Sequence, residues 1–211
     1  MFIPLVDMLR CVRPHADTWL VASIDRAEDR DILNGTLGCP TCLSEYPVRD
    51  GIVLFSDRIA RPPLRAPSEA EAIRLAAALD LTEPSMTAML HGEWGAHAPI
   101  LRGVSPAQLL LVNPPDGIVT GDGISIVLAE TAPLARGSAH AIAVDASADA
   151  AFIASALASL RPGGRMLGPA RMPVPSELVE IVRDSEVWVA RFDSTPTSAP
   201  ILPTRRPRAA G

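Results

Sequence analysis

Apolar and polar positions change rhythm twice along this chain. Between residues 18 and 55, short β-branched or alternating runs are separated by turn residues: "TWLVASI" (18–24), the charged "DRAEDRD", Asn34-Gly35, and "YPVRDGIVLF" (46–55) with Asp50-Gly51 inside it. That rhythm predicts short strands, with turns at Asn34-Gly35 and Asp50-Gly51. Residues 59–68, "IARPPLRAPS", interrupt it with prolines and arginines and read as a linker. From Ser68, apolar residues fall at helical spacing in "SEAEAIRLAAALDL", where Ser68 and Glu71 outline a capping box.

Beyond that helix, near-continuous apolar runs alternate with helical segments. Strands are read at "QLLLV" (108–112), "ISIVLAE" (124–130), "HAIAVD" (140–145), "RMLG" (165–168) and "VWVARF" (187–192), and helices at "ADAAFIASALASL" (148–160) and "PSELVEIVRD" (175–184). Such interleaving predicts a parallel sheet covered by helices on at least one face. About ten residues separate the first two of these strands, too few for a crossover helix, so a bare loop is expected there. "MLHGEWGAHAP" (89–99) gathers His91, Glu93, Trp94 and His97, and reads as a surface loop anchored by Trp94 in preference to a pocket mouth. The closing "STPTSAPILPTRRPRAAG" has the composition of a disordered tail, with Arg205, Arg206 and Arg208 as solubilising charges.

Composition narrows the classes. Of 211 residues, 48% are hydrophobic and 20% charged, with net charge −5, so no general nucleic-acid-binding surface is expected. All 19 basic residues are arginine, which excludes Schiff-base chemistry and a Walker-type lysine. Heavy Ala, Arg and Pro usage points to a GC-rich bacterial genome. No apolar run reaches the roughly 18 residues that span a bilayer, and the start lacks the features of a signal peptide. Three cysteines argue for free thiols in a reducing compartment, so a cytoplasmic protein without membrane contact is expected. No serine sits in G-x-S-x-G, and no catalytic residue is assigned.

The cysteines carry the sharpest local chemistry. Cys39 and Cys42, as C-P-T-C, have the spacing of a knuckle that supplies half of a tetrahedral zinc site. Upstream, "RCVRPH" offers Cys11 and His15, the histidine standing one place beyond where a second C-x2-C would end. The four would make a closed Cys3His site, structural rather than catalytic. A ribbon that has lost its metal, and a redox pair, are the alternatives.

With Leu9, Cys11, Cys39, Cys42, Tyr46, Pro47, Asp50, Gly51 and Ile52 in place, the first 57 or so residues resemble the small bacterial zinc-ribbon family related to the activator subunit of tRNA and protein methyltransferases. That resemblance implies a module that docks on a methyltransferase and covers an apolar surface there, without chemistry of its own. Further on, "ALASLRPGGRMLGPA" resembles the late segment of class I S-adenosylmethionine-dependent methyltransferases, through Leu160, Pro162, Gly163, Gly164 and Arg165. It implies a cofactor pocket with a glycine-rich loop after the first strand and an acidic residue after the second. Taking "QLLLV" as that first strand puts "NPPDGIVTGDG" in place of the loop and Glu130 in place of the acidic residue. The cofactor-binding candidates are therefore Asn113, Asp116, Gly117, Gly121 and Glu130. A proline-stabilised turn is the plainer reading of "NPPD".

The expected fold class is α/β: a zinc-ribbon-like β module (1–58), a linker (59–67), a truncated Rossmann-like, methyltransferase-like domain (68–195) and a tail (196–211). The expected function is a non-catalytic protein-binding or scaffold subunit with structural zinc, whose partner is another protein subunit, a methyltransferase or a second copy of itself. An active S-adenosylmethionine-dependent methyltransferase and a homo-oligomeric structural protein are the alternatives.

Overall fold

The computed structural model describes residues 1–193; the expected tail, 196–211 with its three arginines, lies outside them. The described residues build an 11-stranded sheet flanked by short helices. In chain order these are α1 (Ile3–Val6), β1 (Val21–Glu28), β2 (Asp31–Gly38), β3 (Glu45–Arg49), β4 (Ile52–Leu54), α2 (Glu69–Leu79), β5 (Thr87–His91), a 3-10 turn (Gly92–His97), α3 (Ala98–Val104), β6 (Gln108–Val112), β7 (Ile124–Leu128), β8 (Ala139–Ala143), α4 (Ala150–Ser159), β9 (Leu160–Pro169), β10 (Leu178–Arg183) and β11 (Val187–Phe192). Across the sheet the order is β1-β2-β3-β4-β7-β6-β5-β8-β9-β11-β10.

Two regimes of pairing meet in this sheet. β1 to β4 form an antiparallel meander, and β4 then pairs in parallel with β7, Val53 opposite Val127. From β7 through β6, β5, β8 and β9 every pairing is parallel, and the antiparallel β11 and β10 close the far edge. The cysteine-bearing segment and the α/β segment thus share one hydrogen-bonded sheet. Phe55 and Ser56 both donate their amides to the Leu128 carbonyl at the seam.

Local sequence explains most elements. Ser68 Oγ accepts from the Glu71 amide at 3.4 Å to cap α2, whose Ala72, Leu75 and Leu79 face inward, and Asp80 ends the helix in the left-handed region. Asp149 caps α4 by accepting from the Phe152 amide at 2.7 Å. β6 and β7 are parallel and joined by residues 113–123 without a helix, as the short spacing predicts.

Without that helix, the faces are covered differently. One face carries α2 and α3 over Leu90, Leu109, Ile126 and Leu167. On the other, α4 is joined by Leu5, Val6 and Leu9 of the N-terminal segment, in one cluster with Leu110, Val112, Val127 and Leu134. Each such buried leucine or valine contributes roughly 1.5–3 kcal/mol, so the N-terminal segment is an integral part of the core. Among the described residues no helix is long and apolar enough to cross a membrane.

Three sequence expectations are corrected. The first hairpin turns at Asp29-Arg30, both at positive φ, while Asn34-Gly35 lies inside β2, Gly35 opposite Ile24. Residues 178–183 form β10 rather than a helix, because Val179, Ile181 and Val182 suit an edge strand paired with β11. Met89, Leu90 and His91, read as the start of the surface loop at 89–99, instead belong to a fully buried strand, β5, at the centre of the parallel region.

Candidate functional site

The strand order reverses direction between β5 and β8. From β5 the chain steps outward through β6 to β7, then returns to place β8 and β9 on the opposite side. In open parallel sheets the crevice at such a switch point, at the carboxyl ends of the strands, is where ligands bind. Here it is bounded by His91 at the end of β5, Asn113 after β6 and Asp145 after β8.

The chain's own side chains occupy that crevice. Asp145, 4% exposed, accepts from His91 Nδ1 at 3.0 Å, from the Glu93 amide at 2.8 Å, and from Ser147 through its amide at 3.0 Å and its hydroxyl at 2.6 Å. Burial pushes its carboxyl up, but the bonds from His91, Ser147 and the Glu93 amide outweigh it and hold the group at about 2. His91 stacks on Phe152 with ring centroids 4.1 Å apart. Trp94 Nε1 donates to the Val144 carbonyl at 3.0 Å, pinning the 3-10 turn to the end of β8.

Two glycines make this packing feasible. Gly92 sits at φ +60, and a Cβ there would lie 1.9 Å from Asp145 Oδ2; a Cβ on Gly95 would lie 2.6 Å from Pro114 Cβ. The space a glycine-rich turn opens for a ligand is filled by a carboxylate and a proline ring. Over the same edge runs the segment after β4: Arg61 donates to the carbonyls of Pro114 (2.6 Å) and Pro115 (2.7 Å) and pairs with Asp116.

The five residues expected to hold a cofactor do not converge. Asn113 is buried and spends its amide on Ala129, donating to the carbonyl at 2.8 Å and accepting from the amide at 2.9 Å. Asp116 is exposed and paired with Arg61. Gly117 lies in the 113–123 loop, and Gly121 bridges to Ile124 at the opposite end of the sheet, where β7 begins. Glu130 follows β7, the third strand out from the switch point, and accepts from Ser56 Oγ at 3.0 Å. The physical reason is a shift of one strand: β5 takes the place assigned to β6, so the turn after it is "GEWGAH" and the residue after the second strand is Asn113. The missed residues are Asp145, Gly92, Gly95 and Arg61; a glycine immediately after an apolar run at 87–91 was the available signal.

The cysteine end of the sheet presents a different geometry. Cys11, His15, Cys39 and Cys42 bring one ligand atom each to within 4.8 Å of one another. Cys11 Sγ is 3.6 Å from Cys42 Sγ and 3.1 Å from His15 Nε2, and Cys39 Sγ is 3.4 Å from the same nitrogen. A tetrahedron with arms of ~2.3 Å has edges of about 3.8 Å, so the cluster could hold a metal ion with little movement. Surrounding groups are arranged to suit. His15 Nδ1 donates to the Ala16 carbonyl at 2.7 Å, which leaves Nε2 with its lone pair toward the sulfurs. Tyr46 OH lies 3.1 Å from Cys11 Sγ, and the Ser44 hydroxyl and amide hold the Cys42 thiol down at about 6, favouring the thiolate.

No protein-family model matches the sequence, and neither does any curated protein. Among solved structures, the chain is similar to the geranyl diphosphate C-methyltransferase of Streptomyces coelicolor A3(2), solved with Mg2+, geranyl diphosphate and S-adenosyl-L-homocysteine, at 16% identity and TM-score 0.41, over 47% of this chain and 43% of that one. It is similar to a putative S-adenosyl-L-methionine-dependent methyltransferase of Methanococcus maripaludis at 13% identity and TM-score 0.47, over 64% and 87%. A protein from Corynebacterium glutamicum matches at 14% identity and TM-score 0.46, over 62% and 83%. The chain spans less than half the length of the geranyl diphosphate methyltransferase. The fold rests on its strand order and pairing, which are those of a Rossmann-like α/β sheet extended by a small antiparallel module.

Proposed function

We propose that this chain is a non-catalytic, protein-binding or scaffold subunit built on a methyltransferase-like sheet, with zinc held structurally by Cys11, His15, Cys39 and Cys42. The observation that carries the reading is the closed switch-point crevice. Gly92 and Gly95, which would admit a cofactor, are packed against Asp145 and Pro114, and the residue after the second strand is an asparagine already committed to backbone. Four closed ligands leave no position for water on the metal, so the zinc contributes folding energy rather than chemistry.

What supports a binding role is the apolar surface left at the sheet edges. Trp19 is 63% exposed, beside Val21 on the outermost strand, and Leu43 protrudes from the cysteine knuckle. At the other edge Val179, Ile181 and Val182 are more than half exposed. Edge strands with uncovered apolar side chains are surfaces that associate with other chains, and another protein subunit or a second copy is the occupant this reading expects.

Titration of the zinc-loaded protein with S-adenosylmethionine in a calorimeter tests the closed crevice. No binding heat is expected. Saturable binding at micromolar strength overturns the scaffold reading in favour of an active methyltransferase, for which the strand order and a glycine turn directly after β5 are the favouring observations.

A further inference from the structure

A second concavity lies beside the switch point and shares the 3-10 turn with it, through Glu93 and Trp94. Between α2, the 3-10 turn, the ends of β9 and β11 and the proline segment at 63–67 is a cavity of about 560 Å³; neither Asp145 nor Asn113 lines it. That volume is in the range of small-molecule sites, roughly 300–1,000 Å³. Its apolar floor is Leu75, Leu167, Val187 and Val189, and one wall is Trp94 with His97, their rings 5.8 Å apart.

The charges around it are unbalanced. Arg65 and Arg74 line the cavity, and so do Glu71, Glu93, Asp184 and Glu186. Arg74 pairs with Glu186 at 2.6 Å and also feels Glu71 and Asp184, and Arg65 pairs with Glu93 at 3.7 Å, so four carboxylates share two guanidiniums around the cavity. The amides of Val187 and Glu186 hold the Asp184 carboxyl below its ordinary range, and burial holds His97 below its own, so the imidazole does not restore the balance at neutral pH. An anion meets net repulsion here, and an uncharged ligand would desolvate carboxylates without compensating them. A cation gains from both the carboxylates and the indole face, because the ring quadrupole attracts positive charge.

We propose that this cavity binds a small organic cation with an aromatic or branched apolar body, the charge held among Glu71, Glu93, Asp184 and Glu186 and the body against Trp94 and the leucine–valine floor. The site lies on the outer side of the 3-10 turn whose inner side packs on Asp145, and it shares no residue with the cysteine cluster. It gives a non-catalytic chain a means of responding to a metabolite, because the ligand would bridge α2, the 3-10 turn and the β10–β11 edge.

The test is a titration of the zinc-loaded full-length protein with benzyltrimethylammonium and, separately, with phenylmethanesulfonate, an anion of similar size. The indole N–H resonance of Trp94, identified by its loss in Trp94→Phe, is the readout. The ammonium is expected to shift it saturably and the sulfonate is not. Glu71→Gln combined with Glu186→Gln removes the excess negative charge and should weaken the ammonium by about tenfold or more. Should that pair misfold, Glu93→Gln, which leaves α2 and the hairpin untouched, carries the same direction. No saturable shift at millimolar ammonium, equal binding of the sulfonate, or undiminished affinity in a folded variant overturns the proposal. S-adenosylmethionine is itself a sulfonium cation with an aromatic base, so it is titrated also into the Glu71→Gln, Glu186→Gln protein: heat that persists there belongs to the crevice and overturns the scaffold reading, whereas heat lost there together with the Trp94 shift belongs to this cavity and spares that reading.

Discussion

Replacing Gly92 with alanine decides whether the switch-point crevice is closed. If the turn is glycine-rich to admit a ligand, an added methyl costs binding, and stability falls only by the roughly 1–2 kcal/mol of holding alanine at φ +60. If Asp145 fills the space, the methyl collides with it at 1.9 Å from Oδ2 and 2.5 Å from Cγ. Two costs add. Holding alanine at φ +60 costs roughly 1–2 kcal/mol. Displacing Asp145 weakens its bonds from His91, Glu93 and Ser147, each worth about 1.5–3 kcal/mol to a charged acceptor, and losing the equivalent of one gives a total of about 4 kcal/mol. For a chain of this size that is a fall in Tm of about 8–16 °C. A urea-denaturation cycle adding Asp145→Ala separates the two costs. With the carboxylate gone the collision disappears, so the double variant should be no more than about 1–2 kcal/mol below Asp145→Ala alone, a coupling of about 2–3 kcal/mol. A Gly92→Ala protein no more than about 2 kcal/mol below the parent, which the backbone cost alone explains, or strict additivity in the cycle, refutes the closed crevice.

Asp145 also predicts an acid limb. Its carboxyl is held at about 2 against an ordinary 3.8, so its stabilisation is fully present above pH 3.8 and is lost as pH falls toward 2, by about 2 kcal/mol; urea unfolding between pH 5 and 2 should show this slope, and Asp145→Asn should flatten it. For the cysteine cluster, elemental analysis should find about one zinc per chain, and Cys42→Ser or a strong chelator should remove it and lower Tm; metal-free protein with an unchanged Tm refutes a structural zinc. Arg61→Ala removes the bonds to Pro114 and Pro115 that hold the 59–67 segment down, so trypsin should cut at Arg65 severalfold faster; an unchanged cleavage rate shows that Arg61 does not hold it.

The parts legible in the sequence are those where local chemistry and tertiary context agree. Capping at Ser68 needs only neighbours along the chain, and the cysteine knuckle is a local spacing to which one short upstream stretch brings Cys11 and His15. β6, β7 and β8 are apolar over most of their length, and burial on both faces of a parallel sheet demands that. What failed are segments whose partners are distant. "LVEIV" fits one turn-and-a-half of helix as well as a strand, and only pairing with β11 decides. Asn34-Gly35 is the stronger hairpin dipeptide, yet the turn falls at Asp29-Arg30 because β2 must continue to Gly38 to pair with β3.

The error at β5 has the largest consequence for function. "TAMLH" has one β-branched residue in five, follows "LTEPSM" and runs straight into "GEWGAH", so nothing local marks it as the central strand. Assigning the first position to the more apolar "QLLLV" displaced the loop and the acidic residue by one strand, and made a glycine turn seem lost. The structure restores the glycines and changes their meaning. A glycine after a strand reports only that something approaches the backbone closely, and sequence cannot say whether that is a ligand or the protein itself. At Gly92 the approaching group is Asp145, fifty-three residues downstream, and at Gly95 it is Pro114. Both approaches run between different strand ends, so the distinction between a binding loop and a packed turn belongs to the tertiary fold.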